Sequence, residues 1–116
     1  MFLSSPSLAI LPGGNYAASY DISGKNPRAG HTVICTSSDR GKTWGQLAEL
    51  TSQHWSTLFT HQDALWLLGV STKGGRIQIR RSTDGGATWT TPEDGKSGVL
   101  AADGKFHCGP TPVIVH

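Results

Sequence analysis

A handful of side chains carry most of the chemistry open to this chain of 116 residues. Asp21 is the acid nearest a loop mouth. As a general acid it needs a raised pKa and a partner carboxylate about 5–10 Å away, and Asp94 and Asp103 are the available partners. His31 can exchange a proton near neutral pH. Arg28 can hold an acidic group. His54 leads into Trp55, whose electron-rich ring can stack on a sugar face. Phe106-His107-Cys108 offers a second aromatic and imidazole, and a Cys/His nucleophile pair for which no third group is identified. His54, His107 and Asp21 have no recognised metal-ligand spacing, so no metal and no cofactor is expected. Each residue also has a plain structural reading: Asp21 as a strand-end turn residue, His31 as a half-buried strand-start residue, Trp55 as packing between sheets.

The elements that position these residues are legible from an internal repeat. Ser37-Ser38-Asp39-Arg40-Gly41-Lys42-Thr43-Trp44 recurs as Ser82-Thr83-Asp84-Gly85-Gly86-Ala87-Thr88-Trp89, the pattern S-x-D-x-G-x-T-W, 45 residues on. A fainter repeat aligns Leu8–Ala18 with Leu58–Leu68, each a short strand, a polar turn and a second strand. Pro110–His116 repeats the first half of that unit. Strands are expected at about 7–11, 15–20, 31–37, 43–49, 56–60, 64–70, 76–82, 88–91 and 112–116. A period of about 45 with four strands is that of a propeller blade. The hairpins are offset by 50 residues and the boxes by 45, so about five extra residues are expected in the Gly/Asn/Pro-rich loop from Ile22 to Gly30. Three blade spans follow: about 6–50, about 54–99, and a start at about 106–116.

The repeated octapeptide reads as the turn between third and fourth strands. Asp39 and Asp84 can accept backbone N–H groups two or three residues on. Gly41 and Gly86 supply positive φ, which is cheap for glycine. Ser37, Ser82, Thr43 and Thr88 can tie hydroxyls across the turn. Trp44 and Trp89 are expected between adjacent sheets. The motif thus reads as a folding staple in preference to a ligand site.

These two motifs resemble the Asp-box, or bacterial neuraminidase (BNR), repeat of sialidases, which also occurs in sortilin-type receptors and photosystem assembly factors. The resemblance implies an all-β, sialidase-like β-propeller: two four-stranded antiparallel sheets and the first strand of a third. Where the family carries Arg-Ile-Pro on the first inner strand, this chain has Ser4-Ser5-Pro6. Ser23 stands near the family's second arginine, and the loop from Ser23 to His31 has no carboxylate for the general acid. Family ligands bind on the propeller face that receives residues 20–31, 51–55, 70–75 and 91–108 here. The expectation is a divergent glycoside-hydrolase homologue that acts on or binds carbohydrate, such as a sialoside or another glycan. The alternatives are a non-catalytic carbohydrate-binding module and a structural propeller fragment that oligomerises to close its ring.

Totals narrow the field. The net charge of +2 is too small, and the Lys and Arg too scattered, to point to nucleic acid. Arg80-Arg81 is the only basic pair, and adjacent strand residues face opposite ways. No run approaches the length of a membrane span, and Met1–Pro6 lacks a signal peptide's basic start and apolar run. Cys35 and Cys108 read as two free thiols in preference to a bridge. Two blades leave apolar faces and strand edges open, so a homo-oligomer or membership of a longer chain is expected.

Overall fold

The computed structural model describes residues 2–25, 27, 29–71, 76–93, 96 and 98–101. Every regular element among them is a β-strand. β1 (Phe2–Ile10), β2 (Tyr16–Ser23), β3 (Thr32–Ser37) and β4 (Gly45–Leu50) form one antiparallel sheet in chain order. β5 (His54–His61), β6 (Ala64–Val70), β7 (Ile77–Ser82) and β8 (Val99–Ala101) form a second in the same order.

Period-two alternation explains how the sheets stack. On β2, Ala17, Ser19 and Asp21 are buried while Tyr16, Ala18 and Tyr20 are half-covered. Ala17 and Ile34 of the first sheet meet Leu58, Leu65 and Leu67 of the second in one core, rimmed by Ala9, Leu11, Ala48, Leu50 and Trp89. The sheets touch most closely along β1 and β5, where the Leu58 amide donates to Ser7 Oγ at 3.0 Å. The second sheet's opposite face carries Phe59 stacked on Trp66, with Arg81 above the Trp66 ring. Arg80 is buried and Arg81 exposed, the opposed facing that neighbouring strand residues require.

The two repeated turns fold alike. The Ser37 hydroxyl donates to Asp39 Oδ1 at 2.7 Å and accepts the Gly41 amide at 2.8 Å. The Thr43 amide donates to the same Asp39 oxygen, its hydroxyl to the other, and Trp44 Nε1 donates to the Gly41 carbonyl. Ser82, Asp84, Gly86, Thr88 and Trp89 repeat every one of these bonds. The aspartates therefore reach amides four residues on, one or two residues further than expected, because two successive positive-φ residues curl the chain back: Arg40 and Gly41 in one turn, Gly85 and Gly86 in the other.

The tryptophans differ in burial. Trp89 packs against the inter-sheet core. Trp44 remains 42% exposed beside Leu8 and Ile10, at 58% and 60%. Gly86 faces Ile34 and Leu47 of the first sheet, whereas its counterpart Gly41 faces only Trp44 and Tyr16. Trp44 thus lies on the first sheet's outer face, where no sheet among the described residues covers it. The expectation that both tryptophans sit between sheets holds for Trp89 and fails for Trp44.

Two further differences concern the strands. The fourth strand of the second sheet is Val99–Ala101, not 88–91. Thr90 makes a short contact with Arg81, its amide to the Arg81 carbonyl and its hydroxyl from the Arg81 amide. The chain then leaves, and pairing with β7 resumes where the Ile79 amide donates to the Gly98 carbonyl. Pro92 explains the break, since it has no amide to donate to a ladder. Register also divides the extra residues of the first sheet. Tyr16 stands opposite Ser37 as Leu65 stands opposite Ser82, so one extra residue falls in the first hairpin turn and the rest in the loop after β2. The expected strand 112–116 lies outside the described residues.

Candidate functional site

The site is built on a matched pair of strand irregularities. Each inner strand carries a bulge, between Ser4 and Ser7 in β1 and between His54 and Thr57 in β5. Ser5 and Trp55, at the same place in the two bulges, have φ of 51° and 50°. Side chains rarely adopt this conformation, and a bulge re-aims the strand that holds one. Gly69 makes room beneath the second bulge: a Cβ there would lie 2.7 Å from the His54 carbonyl oxygen and 2.8 Å from Gln53 Nε2, and would collide with Ser56 Oγ.

Asp21 holds the bulge in place. It is fully buried. Its Oδ2 accepts the Trp55 amide at 2.7 Å and stands 3.4 Å from His54 Nδ1. Its Oδ1 lies 2.9 Å from Thr32 Oγ1, which is 2.8 Å from the Gln53 carbonyl. Burial raises the pKa of Asp21, opposed by the Trp55 amide, the Thr32 hydroxyl, the His54 charge and the Ser5 hydroxyl. One carboxylate thereby ties the end of β2 to the start of the second sheet. The ring of His54 lies 4.9 Å from that of Trp55, tilted by 46°.

The connection between the sheets rests on a second polar network. Arg80, 7% exposed, donates from Nε to Gln53 Oε1 and from Nη2 to the Thr51 carbonyl, both at 2.9 Å, and from Nη1 to the Thr90 carbonyl. These partners are neutral oxygens, and burial lowers the guanidinium's pKa, with the nearby charge of Arg76 adding to the effect. Gln78 Nε2 donates to the Ser52 carbonyl and to Gln53 Oε1, and Gln53 Nε2 donates to Ser56 Oγ. Breaking such a satisfied network leaves buried groups without partners, so residues 51–53 are held firmly.

Above these supports opens a pocket of about 720 Å³. Ser4 and Trp55 come from the two bulged strands, Ser23 and His31 from the ends of the loop after β2, and Thr51, Ser52 and His54 from the inter-sheet connection. Its wall is hydroxyl-rich, with one indole and two imidazoles. His31 Nδ1 lies 2.6 Å from Glu49 Oε2, both side chains about a quarter exposed.

Of the residues expected to serve a site, His31, His54 and Trp55 line this pocket and Asp21 sits behind its wall. A general acid must touch its substrate, and a fully buried Asp21 whose oxygens hold Trp55 and Thr32 does not present itself to one. Arg28, His107, Cys108, Asp94 and Asp103 lie outside the described residues; Cys35 is a free thiol. Sequence reading missed Glu49, Thr32, Gln53 and Arg80. Glu49 is a neighbour of His31 only through the β3–β4 ladder, where Thr32, next to His31 in the chain, pairs with Leu50. The signal that would have found Glu49 is the register of that ladder.

No model of a known protein family matches the chain, and no curated protein is significantly similar to it. Solved structures do match. An alpha-L-arabinanase of Penicillium chrysogenum, complexed with arabinobiose, superposes with a TM-score of 0.71 at 23% identity over 90% of this chain and 34% of its own. An alpha-L-arabinofuranosidase, Arb93A of Fusarium graminearum, in complex with an iminosugar inhibitor, gives 0.67 at 17% identity over 89% and 33%. The chain thus spans about a third of the length of these enzymes. The all-β fold of two successive four-stranded sheets is that of β-propeller enzymes.

Proposed function

We propose that this chain forms part of a carbohydrate-acting propeller and that its pocket binds a sugar against Trp55. The observation that carries this reading is the placement of Trp55. A bulge with positive φ, fixed by a buried carboxylate, puts an indole in the wall of a pocket whose other lining side chains include Ser4, Ser23, Thr51, Ser52 and two histidines. An aromatic face with hydroxyl and imidazole groups around it suits a ligand with C–H faces and many hydroxyls. The likeness to enzymes solved with arabinobiose and an iminosugar supports the same class of ligand.

A more specific kinship, with Asp-box sialidases, is supported by the two identical turns. Against sialic acid as the ligand stand Ser4 and Ser23, where that family has arginines. Catalysis by this length of chain alone is not our reading. Among the described residues no carboxylate lines the pocket, and glycoside hydrolysis ordinarily takes two. Binding without turnover is therefore expected, whether the chain acts alone or as one portion of a hydrolase whose acids lie on further sheets. In this reading Asp21 serves by holding Trp55 and His54 in place, and His31 meets the ligand.

Calorimetric titration with arabinobiose and with a sialoside tests this. Arabinobiose should bind in the micromolar-to-millimolar range, and Trp55→Ala should weaken it at least tenfold. Binding unaltered by Trp55→Ala would refute the assignment, and preference for the sialoside would favour the sialidase kinship.

A further inference from the structure

The pocket holds a histidine whose protonation geometry is fixed from behind. Glu49 Oε2 and His31 Nδ1 are 2.6 Å apart. At that distance a proton must lie between them, since two bare acceptors repel. A carboxylate oxygen is the acceptor of such a pair and the ring nitrogen its donor, so the proton belongs to Nδ1. The neutral ring then carries its lone pair on Nε2. His31 makes no other side-chain bond among the described residues, and it lines the pocket. A carboxylate behind one ring nitrogen fixing the role of the other is the general device by which proteins orient imidazoles.

We propose that Glu49 is the positioning residue of this pocket, holding His31 as the Nδ1–H tautomer so that Nε2 accepts a hydrogen bond from a ligand hydroxyl. The ligand class, a sugar or other polyol, rests on the reading given above; the tautomer does not. Among the described residues, the titratable groups about the pair are few. Glu49 faces it from β4, and His54 faces the same cavity with Asp21 behind it. The other side chains of the wall, among them Ser4, Thr51 and Ser52, can donate or accept as needed. An Nε2 fixed as an acceptor is different, because it favours a hydroxyl or N–H donor over an ether, carboxylate or phosphate. Glu49 thereby acts on specificity from outside the pocket.

Long-range ¹H–¹⁵N correlation spectra of the full chain, recorded at mildly alkaline pH, test the proposal without any ligand. His31 should show a protonated Nδ1 and a bare Nε2. Glu49→Gln keeps an acceptor oxygen and should preserve that pattern. Glu49→Ala should shift His31 toward the Nε2–H form that free histidine favours. A wild-type His31 protonated on Nε2 would overturn the proposal even if neither variant folded, and so would a tautomer unmoved by Glu49→Ala. Arabinobiose is then added. The His31 Nε2 resonance should shift on binding, and Glu49→Ala should weaken binding about tenfold while Glu49→Gln retains most of it. Binding that leaves Nε2 unmoved would overturn the assignment of the acceptor. Absence of any binding beside a correct tautomer would overturn the ligand class and the carbohydrate reading, and leave the role of Glu49 standing.

Discussion

Three carboxylates here illustrate how surroundings decide what an aspartate does. Asp39 and Asp84 sit at the surface and accept hydroxyl and amide donors from their own turns. The hydroxyl and amide of Thr43, helped by Ser37, lower Asp39 to about 2; Thr88 and Ser82 push Asp84 lower still. Because the folded-state value lies below the unfolded one, Asp39 stabilises the fold above pH about 4, and this contribution fades as the pH falls toward about 2. Thermal melts between pH 5 and 2 should show acid destabilisation that Asp39→Asn reduces. Asp21 runs the other way. Burial raises its pKa, so the native protein holds that proton more tightly than the unfolded chain does. Stability from this site therefore falls as the pH rises from the ordinary carboxyl range through the raised value. Asp21→Asn should remove that dependence while keeping an acceptor for the Trp55 amide. Asp21→Ala leaves the amide unmatched and should cost about 1–3 kcal/mol in denaturant unfolding. A change of less than about 0.5 kcal/mol would mean that Asp21 does not hold the bulge.

At the scale of elements, the repeat made most of the fold legible. Strict spacing of Ser, Asp, Gly, Thr and Trp marks a turn whose bonds are all local, and local bonds can be read from sequence. Seven of the strands follow, because alternation and turn residues bracket them. β8 escaped because its position depends on how far the chain strays after Pro92 before pairing with β7 again. The bulges escaped for a similar reason: Trp55 adopts positive φ where Asp21 accepts its amide and Gly69 leaves room, Ser5 does so at the matching place, and neither residue type announces it. The site was half legible. His31, His54 and Trp55 could be chosen by residue type, but Glu49 joins them only through cross-strand register. Burial also separates two residues that the sequence makes equivalent. Trp89 covers the inter-sheet core and Trp44 faces outward. Trp89→Ala should cost about 3–5 kcal/mol and Trp44→Ala clearly less. Equal losses in chemical denaturation would mean that the outer face of the first sheet is covered in solution.

The described residues form two stacked sheets with unlike outer faces. One presents Leu8, Ile10, Tyr16 and Trp44, and the other presents Phe59, Trp66 and Leu100. Sheets stack in one sense within the chain, and we propose that the second face of one copy meets the first face of another, a head-to-tail contact that closes a ring or runs on. Sedimentation should reveal self-association that rises with concentration and weakens in Trp44→Ala; a monomer at all concentrations would show these faces to be tolerated in water. The pocket lies away from both faces, at the mouth shared by the bulged strands and the inter-sheet connection. The four tryptophans of the chain offer a direct test of that location. The indole N–H groups of Trp44, Trp66 and Trp89 are each bonded to a carbonyl of the chain, and Trp55 lines the pocket. An arabinobiose titration followed by ¹H–¹⁵N spectra of the indoles should move the Trp55 signal progressively and leave that of Trp44 in place. Movement of Trp44 or Trp66 with Trp55 unchanged, or no movement at saturating sugar, would contradict the account.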